Sequence, residues 1–228
     1  MLTQLENVPL MLPFIAKFKK IRHIAFIMDG NRRFANKKDM GDNRGHLKGF
    51  ETLLQILKYC MKCKVKIVTV YAFSLDNFNR TQEEIDYLMN LAILKFKEFK
   101  ENDSFVMKNK IAIRIIGDRN KISKEIIDII EELELLTKSH STCQLNICFA
   151  YSSTWEIQNA MNECQDDISQ FPQYMRISTP NLLVRTSGEN RLSDFLLYQC
   201  SQGTKLQILK KCWPELNYYD FLKILMKF

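Results

Sequence analysis

The sequence predicts an α/β fold in which a mostly parallel sheet of about six strands is flanked by helices. Two observations indicate it. Short runs of apolar and β-branched residues alternate with longer stretches of helical periodicity, and Gly (7) and Pro (5) are scarce among 228 residues. Alternation of strands and helices requires crossover connections, which make neighbouring strands parallel and place helices on both faces of the sheet. No repeat or Pro/Ser-rich linker is visible, so one domain is predicted over residues 21–228, after an arm at residues 1–20.

The predicted strands are the runs that combine β-branched and apolar residues. In chain order they are His23–Met28, Val65–Phe73, Ile111–Gly117, Gln144–Tyr151, Leu182–Arg185 and Lys205–Leu209.

Helices are predicted between the strands, where apolar residues recur three and four positions apart. Thr81 with Glu84 and Ser153 with Glu156 have the spacing of capping boxes, and Pro214 is expected to open the last helix. The apolar helix faces are Leu47, Phe50, Leu53, Leu54, Leu57 and Met61; Ile85, Leu88, Met89, Ala92, Phe96 and Phe99; Ile126, Ile127, Ile130 and Leu133 after Ser123; Ile157, Ala160, Met161 and Cys164; and Phe221, Leu222 and Leu225.

The composition is that of a globular protein with a basic surface. The formal net charge is +7, which favours an anionic partner, namely a phosphorylated metabolite, a nucleic acid or an acidic membrane surface, although solubility alone would explain it equally well. The seven cysteines are an odd number scattered through apolar segments, so reduced, buried thiols are expected. Cys60-x-x-Cys63 is the single close pair, and a metal or redox role for it is disfavoured.

The N-terminal arm has two open interpretations. Val8 to Ala16 is apolar and is followed by Lys17, Lys19 and Lys20, a pattern typical of a segment lying in a membrane interface. An arm packed on its own domain explains the pattern equally well. No secretory signal and no run of about 18 apolar residues is found, so the sequence predicts a cytosol-facing chain that does not span a membrane.

The polar residues that follow the first strand are the first candidate site. They are Asp29, Gly30, Asn31, Arg32, Arg33 and Phe34. A carboxylate at a strand end suits Mg²⁺, Gly30 permits close approach of a ligand to the backbone, and the two arginines offer forked donors to phosphate. An ordinary turn with solvated charges is the alternative for this cluster taken alone.

Similar clusters follow two more strands. Ser74, Asn77 and Arg80 come after the second strand, and Arg185, Arg191 and Ser193 follow the late strand around Gly188. In parallel sheets, ligands bind beyond the carboxyl ends of the strands, so three arginine-bearing ends are expected to converge on one polyphosphate site. His46 lies at the start of the next helix. It is expected to help transfer a proton or bind a phosphate, and a structural role in capping the helix or packing against it is an equal alternative.

Two kinds of motif are missing. Neither G-x-x-x-x-G-K-[ST] nor G-x-G-x-x-G occurs, so the common nucleotide-binding loops are absent from the sequence. Asp166-Asp167 is not part of a D-D-x-x-D motif, which excludes the aspartate-rich device of trans-type prenyl synthases.

Ordered motifs over roughly residues 20 to 215 resemble the cis-prenyltransferase family. They are HIAFIMDGNRRFA at 23–35, VYAFS at 70–74 with NFNR at 77–80, IIGD at 115–118, LNICFAY at 145–151 and LVRTSGENRLSDFLL at 183–197. Arg32-Arg33 and the Cys-Phe-Ala-Tyr run are more similar to eukaryotic dehydrodolichyl diphosphate synthase catalytic subunits than to bacterial undecaprenyl diphosphate synthases.

The resemblance implies repeated condensation of isopentenyl diphosphate onto an allylic diphosphate such as farnesyl diphosphate, with cis double bonds, for dolichol and protein glycosylation. It implies Mg²⁺ on Asp29 and proton removal or phosphate positioning by Asn31, His46 and Ser74. It assigns the allylic diphosphate to Gly30, Arg32, Arg33, Phe34, Asn77 and Arg80, and the isopentenyl diphosphate to Arg185, Arg191 and Ser193. An apolar tunnel for the product, with Phe34, Phe73 and Phe78 near its mouth, is also implied.

Two departures from the family pattern imply a partner. Thr204 stands about where family members that work alone carry a metal-site Glu, and the sequence ends at Phe228 without an R-x-G. Catalytic subunits of two-component synthases show the same gaps. A Nogo-B-receptor-type accessory subunit, or else a homodimer, is therefore expected, with peripheral contact to the cytoplasmic side of the endoplasmic reticulum membrane or a cytoplasmic location.

Three alternatives are weaker. An aspartate-nucleophile phosphatase would require an acidic residue at position 31, where Asn31 stands. A nucleic-acid-binding basic domain would carry its arginines along one exposed face rather than at strand ends, so no nucleic-acid partner is expected. A non-catalytic prenyltransferase partner would typically lack the intact Asp29-Gly30-Asn31 block.

Overall fold

The structure is a computed structural model that describes residues 20–164 and 167–228, apart from the side chains of Asp42 and Asn43. The predicted arm at 1–20 therefore lies, except for Lys20, outside the described residues, as does Asp166. The boundary proposed at residue 21 stays a prediction.

The predicted strands all form and belong to one six-stranded sheet, in the order β3-β4-β2-β1-β5-β6. The pairs β1–β5, β5–β6 and β3–β4 are parallel. The strand bounds are β1 (His23–Ile27), β2 (Ile67–Ser74), β3 (Ile111–Ile116), β4 (Cys143–Tyr151), β5 (Leu182–Arg185) and β6 (Lys205–Ile208). Observed and predicted ends differ by two residues at most, because the apolar runs themselves define the strands.

Helices connect the strands, as the crossover argument requires. They are α1 (Asn31–Lys37), α2 (Asp42–Lys62), α3 (Gln82–Lys100), α4 (Phe105–Lys108), α5 (Lys124–Thr137), α6 (Ser153–Cys164), α7 (Phe171–Tyr174), α8 (Leu197–Ser201) and α9 (Tyr218–Lys227). Shorter 3-10 turns lie at Leu75–Asn79, Arg119–Lys121, Ile168–Gln170 and Trp213–Glu215.

Side-chain caps explain where several helices begin. Thr81 accepts a hydrogen bond from the backbone N–H of Glu84 at the start of α3, and Ser123 accepts one from Ile126 at the start of α5. Such caps satisfy backbone donors that have no partner within the first helical turn, and each stabilises a helix by about 1 kcal/mol.

Two predicted helix starts are wrong. Ser152, not Ser153, caps α6, because its Oγ accepts from the N–H of Trp155 at 3.1 Å, while the Ser153 hydroxyl accepts from Leu197. Pro214 lies in the 3-10 turn Trp213–Glu215, and α9 begins after Asn217, whose side chain accepts from the N–H groups of Tyr219 and Asp220. Proline fits the first turn of either helix type, so it did not distinguish them.

The contacts of the chain cluster into two compact units. Among the described residues, the first contains 20–68, Asn181–Glu189 and Lys205–Phe228, and the second contains the described part of Thr69–Pro180 and Asn190–Thr204. In the first unit, every residue of β1 is buried, and Phe26 packs on Trp213 with ring centroids 5.6 Å apart. The Trp213 indole N–H donates to the carbonyl of Gly49, so α2 is tied to the same core.

The core of the second unit contains a fully buried carboxylate. Glu156 accepts hydrogen bonds from the Tyr151 hydroxyl at 2.6 Å, the Ile177 N–H at 2.9 Å and the Gln199 amide at 3.0 Å. Buried polar groups are stable only when hydrogen-bonded, and here one side chain ties β4, α6 and α8 together. The capping box predicted from Ser153 and Glu156 is therefore wrong for both of its members.

Within the two described ranges, every helix is too short or too polar to cross a membrane.

Candidate active site

Asp29 and Arg185 form an ion pair at the ends of two neighbouring strands. The register of the parallel pair β1–β5 places Ile27 opposite Arg185, and Asp29 follows two residues later. Asp29 Oδ2 lies 2.8 Å from Arg185 Nη2; the guanidinium side chain is 3% exposed and the carboxylate 30%. The pair therefore has a buried cation and an anion that solvent can reach.

Thr186 fixes the backbone of Asp29. Its hydroxyl accepts from the Asp29 N–H at 2.9 Å and donates to the Asp29 carbonyl at 2.7 Å. The same carbonyl accepts from the Trp213 N–H at 2.9 Å. Both ends of the Asp29 peptide are thus held, and the carboxylate is presented in a defined position before any ligand arrives.

Position 30 requires glycine, for both its backbone conformation and its packing. Its φ is +99°, a left-handed conformation that side-chain-bearing residues rarely adopt. A Cβ there would lie 2.7 Å from Ser187 Oγ and 2.9 Å from Cys212 Cβ, which is closer than real carbon contacts allow. The glycine therefore allows the start of α1 to pack directly on the segment after β5.

Arg33 is held toward that segment by three contacts. Its Nη1 donates to the Ser187 carbonyl at 2.8 Å and the Ser187 hydroxyl at 2.7 Å, and its Nη2 lies 2.9 Å from Glu189 Oε1. The hydrogen bond to Glu189 raises the pKa of Arg33 further above its ordinary value, with smaller contributions from the charges of Glu189 and Asp29. The side chain is half exposed, so a forked cation is oriented and still available to an anionic ligand.

Asn31 packs against α2, the helix that contains Gly45 and Gly49. A Cβ on Gly49 would overlap the Asn31 amide, and one on Gly45 would overlap the Asn31 carbonyl. Asn31 Oδ1 is buried without a hydrogen-bond partner among the described residues. Buried unsatisfied oxygens are rare and need an explanation, and a ligand that donates a hydrogen bond to Asn31 is one.

In the second unit, Ser74 and Asn77 form a reciprocal cap at the end of β2. The Ser74 hydroxyl accepts from the Asn77 N–H, and the Asn77 amide oxygen accepts from the Ser74 N–H, both at 3.1 Å. Arg80 follows and pairs with Glu84 at 2.5 Å in the first turn of α3, with both side chains partly exposed. The turn therefore presents a serine and an arginine at a strand end, as predicted.

Arg191 and Ser193 lie in an irregular segment that precedes α8. Arg191 is exposed and Ser193 half-buried. The backbone beyond them is left-handed at Ser193, Asp194 and Leu196, with φ of 52°, 54° and 51°. The Asp194 carboxylate accepts from the N–H of Thr154 at 3.0 Å, so this segment is attached to the start of α6.

Comparison with known proteins identifies the family. The family described as putative undecaprenyl diphosphate synthase matches residues 27–228. The chain belongs to this family. Its members include the cis-prenyltransferases whose motifs the sequence resembles, so the predicted family, enzyme class and α/β fold are confirmed.

Several relatives in the family are complex subunits. A human dehydrodolichyl diphosphate synthase complex subunit is 38% identical over 222 residues, covering 91% of this chain and 66% of the human one. The corresponding subunit of Schizosaccharomyces pombe is 34% identical over 242 residues, covering 100% of this chain and 91% of the yeast one. The chain thus spans slightly less than two thirds of the human relative's length.

Archaeal and plant relatives agree with this assignment. A tritrans,polycis-undecaprenyl-diphosphate synthase of Thermoplasma acidophilum is 36% identical, covering 98% of this chain and 91% of that protein. The crystal structure of lavandulyl diphosphate synthase from Lavandula x intermedia, in complex with dimethylallyl diphosphate, matches with a TM-score of 0.82 and 25% identity over 91% of this chain and 94% of that one. These matches support neither the phosphatase nor the nucleic-acid-binding alternative.

The cis-prenyltransferase fold distributes the predicted site residues over the two units. The first unit brings together Asp29, Gly30, Arg33 and Arg185, and it also holds Asn31, Arg32, Phe34 and His46, the last half-buried in the second turn of α2. The second unit holds Ser74, Asn77, Arg80, Arg191 and Ser193. Convergence of all the arginines on one ligand stays a prediction.

Several residues that shape the site were not predicted from the sequence. Thr186, Ser187 and Glu189 lie inside the motif after β5, yet their types gave no sign that they brace Asp29 and Arg33 rather than bind a ligand. Trp213 was not singled out at all. The hydroxyl-bearing pair Thr186-Ser187 beside a strand end could have indicated this bracing role, because such side chains commonly form hydrogen bonds with nearby backbone groups.

Thr204 has a structural role in this family member. Its hydroxyl is directed at the carbonyls of Pro180 and Gln199, at 2.9 and 2.8 Å. The side chain is therefore used in holding α8 and has no carboxylate to offer a metal.

Proposed function

We propose that this chain is the catalytic component of a cis-prenyltransferase that condenses isopentenyl diphosphate repeatedly onto farnesyl diphosphate. The product is a long-chain polyprenyl diphosphate of the dehydrodolichyl type, which serves dolichol synthesis and protein glycosylation. Relatives named as subunits of dehydrodolichyl diphosphate synthase complexes support this substrate assignment.

The Asp29–Arg185 pair is the observation that carries the proposal. The strand-end carboxylate can hold a divalent cation, the buried guanidinium balances that carboxylate, and the oriented fork of Arg33 adds a cation of the kind that a departing diphosphate requires. As the allylic C–O bond breaks, negative charge grows on the leaving diphosphate, and preorganised cationic donors stabilise that charge more than they stabilise the ground state.

In this proposal the residues after β1 bind the allylic diphosphate. Arg33 and Arg32 contact its oxygens together with the backbone of Gly30, and Asn31 offers its unsatisfied oxygen to a donor. Phe34 lies in the same helical turn as Arg33. In the second unit, Asn77 shapes the turn that presents Arg80, which is proposed to bind the same diphosphate, and Ser74 with His46 is proposed to assist proton removal or phosphate positioning.

Arg185, Arg191 and Ser193 are proposed to bind isopentenyl diphosphate. Arg185 is almost fully buried, so its guanidinium is positioned without much loss of side-chain entropy on binding. Each charge-assisted hydrogen bond to a phosphate oxygen contributes about 1.5–3 kcal/mol, so several are needed to hold a diphosphate in water.

The residues present fit a magnesium ion. Mg²⁺ usually binds through one or two carboxylates together with water and substrate phosphates, and Asp29 offers such a carboxylate, 30% exposed and with its backbone fixed. When bound, the ion would neutralise charge on the diphosphate as it leaves. Asp29 would hold it, and the ion pair with Arg185 would keep the carboxylate oriented until then.

A path for the growing chain is proposed along α3. The first four residues of the predicted apolar face of this helix, Ile85, Leu88, Met89 and Ala92, are only half-buried, whereas the last two, Phe96 and Phe99, are buried. The aromatic cluster of Phe73 with Phe78 and Phe149, with centroids at 4.9 and 5.5 Å, lies in the same unit. Apolar residues that the core leaves partly uncovered suit an apolar product.

An accessory subunit of the Nogo-B-receptor type is proposed as partner, with a homodimer as the other assembly. The relatives' description as complex subunits supports a partner, and so does Thr204, which stands about where the resemblance implies a metal-site Glu in family members that work alone. Such an assembly would act at the cytoplasmic face of the endoplasmic reticulum membrane, with the N-terminal arm as a peripheral contact, or in the cytoplasm.

One assay tests the proposal. The chain alone and the chain co-expressed with an accessory subunit are each incubated with radiolabelled isopentenyl diphosphate, farnesyl diphosphate and Mg²⁺, and the products are sized by chromatography. We expect long polyprenyl products that vanish with EDTA and in Asp29→Ala. Absence of any product longer than farnesyl diphosphate in both preparations would refute the function, and full activity of the chain alone would refute the need for a partner.

A further inference from the structure

The segment Ser193–Leu196 is held in a conformation that its residues disfavour. Ser193, Asp194 and Leu196 have φ of 52°, 54° and 51°, a region rare for residues other than glycine. Such backbone persists only where the surrounding contacts impose it, and it is concentrated at functional sites. Ser193 is the first residue of this segment and Arg191 lies two residues before it, and both are proposed to bind isopentenyl diphosphate.

Tyr71 makes some of the contacts that hold Ser193–Leu196 in this left-handed conformation. From β2, its hydroxyl lies 3.2 Å from the carbonyl of Ser193 and 3.2 Å from that of Tyr151, so its single proton is shared between them. Its ring stacks on Phe195 at 4.4 Å with an interplanar angle of 14°. Burial raises the pKa of Tyr71 above its ordinary value, so the hydroxyl remains a donor at physiological pH.

Asp194 makes the other contacts that hold this segment. Its carboxylate accepts from the Thr154 N–H at 3.0 Å, and its carbonyl accepts from the Ser153 N–H at 2.7 Å. Both N–H groups belong to the first turn of α6, where backbone donors lack partners within the helix. Asp is also among the few residues with a short polar side chain that tolerate left-handed backbone.

Together these contacts attach Ser193, Asp194 and Phe195 of the strained turn to β2 and to the start of α6. We infer that Tyr71 and Asp194 are positioning residues that preset the Arg191–Ser193 segment for the diphosphate of isopentenyl diphosphate; this inference rests on the proposed function. A segment that is ordered before binding loses less conformational entropy when the ligand arrives, so the contacts act through affinity rather than through the chemical step.

Four variants separate the contributions. Tyr71→Phe removes the hydroxyl and keeps the stacked ring. Asp194→Asn keeps an oxygen acceptor and the tolerance of left-handed backbone, Asp194→Gly keeps only the backbone tolerance, and Asp194→Ala keeps neither. Tyr198→Phe is the matched control, since Tyr198 is a half-buried tyrosine of the same unit whose ring packs on Phe171.

The readout is the split between KM and kcat for each substrate, measured on the active preparation. Tyr71→Phe is expected to raise the KM for isopentenyl diphosphate roughly tenfold, with kcat and the KM for farnesyl diphosphate changed less than about twofold. The KM should increase in the order Asp194→Asn, Asp194→Gly, Asp194→Ala, and Tyr198→Phe should match the wild type.

A double-mutant cycle distinguishes positioning from general stability. In an Arg191→Ala, Ser193→Ala background, the groups to be positioned are gone, so Tyr71→Phe should change the KM less than about twofold. Coupling of that kind supports the inference. An undiminished effect in this background would overturn it, as would an unchanged KM in Tyr71→Phe or an equal rise for both substrates.

The two proposals fail in different ways. If the wild-type assembly makes no polyprenyl product, the proposed function is wrong. If it does make product and the Tyr71 and Asp194 variants bind isopentenyl diphosphate like wild type, only the positioning inference is wrong. Thermal unfolding of every variant verifies that the comparison is made between folded proteins.

Discussion

Asp29 Oδ2 and Arg185 Nη2 lie 2.8 Å apart, yet the two residues are proposed to serve different substrates. The carboxylate is assigned to the metal and the allylic diphosphate, and the guanidinium to isopentenyl diphosphate. The pair therefore links two binding functions, and it keeps a buried cation compensated while the site is empty of ligand.

Asp29→Ala is expected to abolish turnover and to destabilise the fold. Removing the carboxylate takes a charge from a partner that is 3% exposed, which we expect to cost about 1–3 kcal/mol, less than for a fully buried pair because Asp29 is partly solvated. Turnover should fall by about 10³ or more. Urea unfolding and the prenyl transfer assay check the two effects, with Asp29→Asn as the control that keeps an oxygen acceptor. A near-normal rate in Asp29→Ala would contradict the metal assignment.

Arg185→Ala is expected to affect both binding functions. It should raise the KM for isopentenyl diphosphate by roughly tenfold to a hundredfold, from loss of one or two charge-assisted hydrogen bonds. Because Asp29 loses its partner too, kcat should fall as well. In the double variant Asp29→Ala, Arg185→Ala, the loss should be much smaller than the product of the single losses. Multiplicative losses would show that the pair does not act as a unit.

The strand ends were the part of this site that the sequence could predict. Apolar runs located β1, β2 and β5. In a parallel sheet the residues that follow such runs lie at the carboxyl ends of the strands, where ligands bind. What the sequence could not predict was which polar residue meets a ligand and which braces its neighbour. Ser187 and Glu189 have the same chemistry as ligand-binding residues, and only their distances to Arg33 show that they orient it.

Glu156 and Pro214 show the other limit. A glutamate three residues after a serine is normally a capping residue at the surface, but tertiary packing buries Glu156 against Tyr151 and Gln199. Pro214 was predicted to open the last helix, but it lies in a 3-10 turn that leads into Leu216 and the true cap, Asn217. In both cases the local pattern was compatible with two structures, and contacts distant in the sequence selected one.

Gly30→Ala tests how closely α1 packs on the segment after β5. Gly203 provides the matched control, because its φ is +96°, against +99° for Gly30, while no atom lies within 4 Å of a Cβ there. Gly203→Ala should cost about 1–2 kcal/mol from backbone strain alone. Gly30→Ala adds overlap with Ser187 and Cys212, and we expect a further cost of about 1–3 kcal/mol and a loss of activity. Equal destabilisation of the two variants would show that Gly30 is not tightly packed.

His23 makes the stability of the fold depend on pH. The side chain is 4% exposed, and burial lowers its pKa from 6.5 to about 4. Between these values the unfolded chain binds a proton that the folded chain does not, so the stability due to the neutral imidazole is complete above about pH 6.5 and falls as the pH drops toward 4. Each pKa unit corresponds to about 1.4 kcal/mol, so the loss by pH 5 is about 2 kcal/mol.

Urea unfolding of the wild type and of His23→Gln at pH 7.5 and pH 5 measures this contribution. The wild type should lose about 2 kcal/mol more than the variant between the two values, because a glutamine side chain does not titrate. His140→Gln, measured at pH 7.5, is the control for replacing a histidine that is only half-buried, with Nδ1 3.0 Å from the Ile111 carbonyl. If His23→Gln and the wild type lose stability in parallel, another group is responsible for the acid sensitivity of the fold.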